Sequence, residues 1–164
     1  MPHIEEYFRT PPRRRSGALV ALRNPQGNLL LVKKQYQMDE GNPRPWGMVG
    51  GSADATERPR AAFTRTVAEE TGLQLQPGRL LVIDHVRASN RYAEGTNFVY
   101  DSDGAVLPPD TTITLPADLA AYQFVAPAEL DMYLSDHSAR RARAVLTALA
   151  DGTTLELEDG YPVG

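Results

Sequence analysis

The sequence predicts one domain in which strands and helices alternate, of the α/β or α+β class. Three observations predict it. The chain has 164 residues, 41% of them apolar and 23% charged, a size and balance that sustain one buried core without covalent staples. It carries 13 glycines and 13 prolines, more turn-forming residues than a plain helix bundle uses. Apolar, β-branched runs bounded by turn residues alternate with segments rich in helix formers.

The elements follow in order. Residues 1–15 read as an arm ahead of a single domain over 16–164: Pro11 and Pro12 interrupt regular structure, and Arg13, Arg14 and Arg15 follow. Such a run is a solvated lead-in, or an arm that packs on a second subunit of a homodimer or near an anionic ligand. GALVALR and LLLVKK flank NPQGN, which predicts a β-hairpin over 17–34 whose strands are covered on both faces. Residues 37–56 are loop-like. The spacing then predicts a helix over about 57–71, with Thr56 as N-cap, Pro59 in the first turn and Gly72 just past the end. LLVIDHV (80–86) and TNFVYD (96–101) read as strands, TITL (112–115) as a short one and YQFVAP (122–127) as another. PAELDMYL opens a helical region, and SARRARAVLTALADG is a helix closed by Gly152, with Arg140, Arg141 and Arg143 on a solvated face. TLELE (154–158) is a last short strand. No repeat or long linker divides the chain.

Charge and composition exclude several functions. The net charge is −4, opposite in sign to a protein that works by gripping nucleic-acid phosphates. There is no cysteine, hence no disulfide framework, cysteine nucleophile or thiolate metal site. The longest purely apolar run, residues 18–22, is far short of the ~20 residues of a membrane span. The N-terminal residues have no apolar core of a secretory signal. A cytoplasmic protein without membrane attachment is expected.

The chemistry concentrates in the helix predicted at 57–71. Glu69 and Glu70 lie three and four residues after Thr66, so the three share a helical face. Arg65 stands one turn before Glu69. Two adjacent carboxylates are ordinary on a solvated face; they are also the donors a hard cation takes. The helix is entered from Gly50 and Gly51, a backbone able to approach a ligand closely.

Gly51, Glu57, Arg65, Val67, Glu69, Glu70, Gly72 and Leu73 resemble the Nudix box, G-x5-E-x7-R-E-U-x-E-E-x-G-U, where U is a bulky aliphatic. Eight of its nine specified positions match. WGMVGG before the box and FVAPAEL after it also look like the family's usual order. The resemblance implies an α/β/α sandwich with a mixed β-sheet. It implies Mg²⁺- or Mn²⁺-assisted attack of water on a diphosphate linked to another group, commonly a nucleoside, so that the partner is a small nucleotide-derived diphosphate. By position, Glu69, Glu70 and the Gly50 carbonyl would hold the metal, Arg65 would orient Glu69, and Glu57 would support the loop. One departure matters: Thr66 stands where the family has a glutamate. A neutral hydroxyl cannot neutralise the cation, and losing a positioned base costs ~10²–10⁴ in rate. Asp118 is the first candidate for a compensating acid, ahead of Glu94 and Asp101. Arg44, Lys33, Lys34 and Arg87 are candidate phosphate contacts, and Trp46 and Tyr92 candidate stacking rings. Two functions follow from the resemblance: a hydrolase with a modified, slower site, or a non-hydrolysing ligand-binding or regulatory module of the same fold.

Overall fold

The computed structural model describes residues 4–164; the sequence reading of His3 as a structural or surface residue falls outside the described residues. A short exposed helix α1 (Ile4–Arg9) opens the chain. Strand β1 (Arg14–Val20) already includes two of the basic residues assigned to the arm. It is followed by β2 (Leu29–Lys34), α2 (Gln35–Asp39), β3 (Trp46–Met48), β4 (Gly50–Ser52) and α3 (Pro59–Thr71). Then come β5 (Leu80–Val86), β6 (Glu94–Tyr100), β7 (Leu119–Val125), α4 (Leu130–Tyr133), α5 (Asp136–Asp151), β8 (Leu155–Glu158) and β9 (Tyr161–Pro162). Among the described residues, no helix is long and apolar enough to cross a membrane.

Two sheets form. A mixed six-stranded sheet runs β4-β1-β6-β5-β8-β9, and a three-stranded antiparallel sheet runs β3-β2-β7. β1 is parallel to β6 and antiparallel to β4. Alternation along β1 sends Ala18 and Val20 to one face and Leu19 to the other. The first face packs on Phe63 and Val67 of α3, the second on Val145 and Ala148 of α5. Helices therefore cover both faces of the mixed sheet, which is the expected α/β/α sandwich. β2 is buried on both sides: Leu29 and Leu31 join the α5 core, Leu30 and Val32 the α3 core. Phe63 meets the Tyr100 ring edge-on at 5.8 Å, an arrangement that adds about 0.5–1.5 kcal/mol beyond area burial.

Five sequence expectations need correction. Residues 37–56 are not all loop, since the end of α2 and strands β3 and β4 lie there. The hairpin over 17–34 forms only at its tip: Asn24 N donates to Asn28 O at 3.0 Å, Leu30 N to Leu22 O at 2.8 Å, and Arg23 bridges Leu29 antiparallel, but β1 and β2 diverge into different sheets. Both runs are apolar throughout, and such a run does not encode which neighbour a strand takes. Thr56 is not the N-cap of α3. It has φ 67° within the preceding loop, the cap position is Arg58 in extended conformation, and Pro59 begins the helix. TITL forms no strand; Ile113 and Leu115 pack against the α3 core. Arg141 is not solvated but buried, bonded to Asp84 at 2.6 Å.

Candidate active site at the β4 to α3 junction

Gly50 begins the site. Its φ is +131°, and a Cβ there would collide with the Ala18 carbonyl, so only glycine fits. Its N–H donates to Glu70 Oε1 at 2.8 Å, which ties the last turn of α3 back to β4. Glu70 is largely buried, and burial is the main force raising its carboxyl pKa; the Gly50 N–H and Lys34 oppose it, while Asp118 and Glu69 add to it. Three carboxylates thus feel one another beside a single lysine. A divalent cation relieves such crowding.

Arg65 anchors the loop to the helix. Its Nε and Nη2 donate to the two oxygens of Glu57 at 2.9 and 2.7 Å, Nη2 also to the Ser52 carbonyl at 3.0 Å, and Nη1 to Glu69 Oε2 at 3.1 Å. Glu57 additionally accepts the Asp54 N–H at 3.0 Å. The guanidinium, with help from that N–H, holds the Glu57 carboxyl down at about 2. The same pairing, foremost with Glu57, raises the Arg65 pKa further above its ordinary range. Arg65 therefore fixes Glu69 while being fixed itself.

Thr66 lines the cleft but has little to offer it. Its hydroxyl donates back to the Ala62 carbonyl at 2.7 Å, and its Cγ2 would lie 3.2 Å from a Cβ placed on Gly51. Thr66 thus turns a methyl group toward Gly51, with its hydroxyl proton already committed.

Around these residues opens a cleft of about 490 Å³, walled by Gly51, Ser52, Thr66, Glu69, Glu70, Pro116 and Asp118. Asp118 crosses to it from the segment before β7, and its carbonyl accepts the Gln35 N–H at 3.0 Å. Among the described residues, no three acidic or imidazole groups are gathered into a ready-made metal cage. The donor chemistry nevertheless fits a hard cation: carboxylates of Glu69 and Glu70 from α3 and of Asp118 from the segment before β7 line one cleft, with space for the waters that Mg²⁺ retains.

The other candidates lie elsewhere. Lys33 sits 5.9 Å from the Trp46 ring centroid, and Trp46 packs edge-on against Tyr133. Arg44 donates to the Leu134 carbonyl and to Asp136, each at 3.0 Å. Arg87 pairs with Asp159 at 2.6 Å beside a separate cleft. Glu94 and Asp101 are bonded to Arg14 and Arg23. Besides Arg65, a further cation near the acidic cluster is Lys34, whose Nζ lies close to Gly47. Strand alternation would have separated it from Lys33, but β2 is apolar up to both lysines and carries no alternating signal.

A mixed sheet between two helices, with an acidic helix end bonded to a glycine-rich strand, is the frame that the resemblance in the sequence implies. The family model described as NUDIX domain matches residues 13–148, and the chain belongs to that family, the Nudix-type pyrophosphohydrolases. Solved structures share the fold. The MutT NUDIX hydrolase from Burkholderia pseudomallei is 23% identical, over 82% of this chain and 97% of that one, with TM-score 0.60. The MutT protein from Methanosarcina mazei Go1 is 16% identical, over 87% and 97%, with TM-score 0.64. An ADP-ribose pyrophosphatase from Streptococcus suis 89-1591 is 17% identical, over 88% and 98%, with TM-score 0.61. No curated protein sequence matches the chain.

Proposed function

We propose that the protein hydrolyses a nucleoside diphosphate linked to a second group, with Mg²⁺ or Mn²⁺, through a site altered at Thr66. The observation that carries this reading is the convergence of Glu69, Glu70 and Asp118 on one cleft, with Glu70 bonded to the Gly50 N–H and Glu69 bonded to Arg65. Glu69, Glu70 and the Gly50 carbonyl are the proposed metal donors. The bound cation supplies charge neutralisation at the phosphoryl oxygens and a lowered pKa for water. Asp118, which lines the same cleft and is in no ion pair among the described residues, takes the proton of the attacking water. Water oxygen bonds to phosphorus, the bridging P–O bond breaks, and the departing phosphate oxygen keeps the electron pair. Lys34 neutralises charge on the diphosphate. Arg65 and Glu57 hold the donors in place.

The test is a panel of nucleotide sugars, dinucleoside polyphosphates and nucleoside triphosphates, with Mg²⁺ or Mn²⁺, read by phosphate release after phosphatase coupling. Cleavage that is lost in Asp118→Asn and Glu70→Gln supports the reading. No cleavage of any member transfers the protein to the non-hydrolysing binding module.

A further inference from the structure

Among the described residues, four strands end the two sheets: β4 and β9 the mixed one, β3 and β7 the antiparallel one. Three of these edges are blunted. β3 and β4 have three residues each, and β9 has two, one of them Pro162. Short strands and proline leave no ladder for another strand to extend. β7 differs. It has seven residues, LAAYQFV, with no charge and no proline. From Ala120 to Phe124 it is exposed or half-buried, and Tyr122 keeps 41% of its surface in solvent. An uncharged, aromatic edge of this length is one that folded proteins ordinarily protect.

The hydrogen bonds of β2 fix which groups of β7 are free. Leu30 N donates to the Leu22 carbonyl and Lys34 N to the Pro45 carbonyl, each at 2.8 Å, so both residues turn away from β7. Alternation then turns Leu29, Leu31 and Lys33 toward it, where their partners are Val125, Gln123 and Ala121. Phe124 and Tyr122, opposite Leu30 and Val32, therefore point their N–H and C=O groups outward. The Phe124 carbonyl accepts Gln123 Nε2 at 3.2 Å; the others have no partner outside the sheet among the described residues. The two rings stand edge-on to each other at 6.5 Å. The free stretch ends near Ala120, where the register shifts between Lys33 and Lys34.

The edge selects its occupant. A foreign strand added to β7 presents a new free edge of its own. A second copy of this chain does not: two β7 edges satisfy each other, and the joined sheet β3-β2-β7-β7-β2-β3 ends on the short β3 at both sides. A two-fold axis makes the pairing antiparallel. Because β7 carries no charged side chain, the symmetry opposes no like charges there, although each chain has a net charge of −4. With the axis at Gln123, Tyr122 of one copy lies opposite the partner's Phe124, and their outward N–H and C=O groups bond each other. Each edge then sets both of its rings against rings, a favourable cross-strand pairing. An axis at Tyr122 would instead set Phe124 against Ala120, at the register shift.

We propose that β7 is the interface of a symmetric homodimer, paired edge to edge with the β7 of a second copy about an axis at Gln123. The inference does not rest on the hydrolase reading. Sedimentation of the native protein should give a dimer. The chain has no cysteine, so one introduced thiol reports on one position. Gln123 and the partner's Gln123 form a non-hydrogen-bonded pair with Cα atoms about 4.5 Å apart, within disulfide reach. Mild oxidation should therefore cross-link Gln123→Cys on a non-reducing gel and leave Asp103→Cys, in an exposed turn, uncross-linked. Gln123→Lys opposes two like charges at the axis and should weaken the dimer about tenfold or more. Gln123→Glu should do the same, and mixing the two variants should restore a heterodimer. A native monomer at every concentration, a dimer that survives both charged variants, or a Gln123→Cys dimer that does not cross-link would overturn the proposal. Charged variants that stay monomeric when mixed would assign their effect to local damage and overturn it too.

Discussion

Glu70 carries two duties at one carboxylate: one oxygen accepts the Gly50 N–H, and the group lines the same cleft as Glu69 and Asp118. Glu70→Gln keeps the acceptor oxygen and removes the charge. Mg²⁺ affinity should fall at least tenfold by calorimetry, since hard cations select anionic oxygen, and hydrolysis should be lost. Unchanged metal affinity would remove Glu70 from the donor set. At Thr66 the reverse change is informative. Thr66→Glu gives up a hydroxyl bonded to the Ala62 carbonyl and places a fourth carboxylate beside Glu69, Glu70 and Asp118. The metal-free protein should melt lower through like-charge repulsion. With Mg²⁺ the loss should invert, because a ligand bound only by the folded state stabilises it. Turnover should rise about tenfold, part of the ~10²–10⁴ that a positioned base supplies. Tighter Mg²⁺ binding with flat or reduced turnover would place the base elsewhere, and Asp118→Asn is then the discriminating variant.

The unit that makes α3 a site is the loop and helix held together by Arg65 and Glu57, rather than the helix alone. No side chain caps the start of α3, and Arg65 instead spans Glu57, Ser52 and Glu69. Arg65→Ala should lower both melting temperature and metal affinity. Normal folding and metal binding with only a raised KM would make Arg65 a substrate contact. Acid should loosen the same unit. The Glu57 pKa is depressed from 4.5 to about 2, so its stabilising contribution is complete above the unfolded value and is lost as pH falls through that window. The melting-temperature gap between the native protein and Glu57→Gln should therefore close between about pH 4.5 and 2. A gap that persists at the acid end would deny Glu57 this role. This unit was legible in the sequence because its donors lie at fixed local spacings, Gly51 to Glu57 and Arg65 to Glu70. Thr56 misled because threonine is a common N-cap, whereas here it occupies a left-handed position where the family often has glycine.

Across the whole molecule the legible and illegible parts divide by sequence separation. Gly72 and Gly152 end helices where expected, with φ 77° and 67°, since capping is local. The parting of β1 and β2 into two sheets, and the burial of Arg141, depend on residues far away in the chain. In the sequence Arg141 reads as part of a solvated face because its partner Asp84 is 57 residues earlier. That pair joins three pieces: Asp84 on β5 accepts from Arg141 of α5 with one oxygen and from the Gly160 N–H, at the turn between β8 and β9, with the other. The carboxylate is fully buried and the arginine nearly so. Removing one partner strands the other's charge in the interior, which costs about 3–5 kcal/mol. Asp84→Ala should accordingly lower the melting temperature by about 10 °C, at the usual conversion for a chain of this size. Replacing both, Asp84→Leu with Arg141→Met, removes the stranded charge and should recover much of the loss, with non-additivity read from the double-mutant cycle. Strictly additive losses would mean that the two side chains contribute through separate packing. In that case Arg141 would not neutralise Asp84.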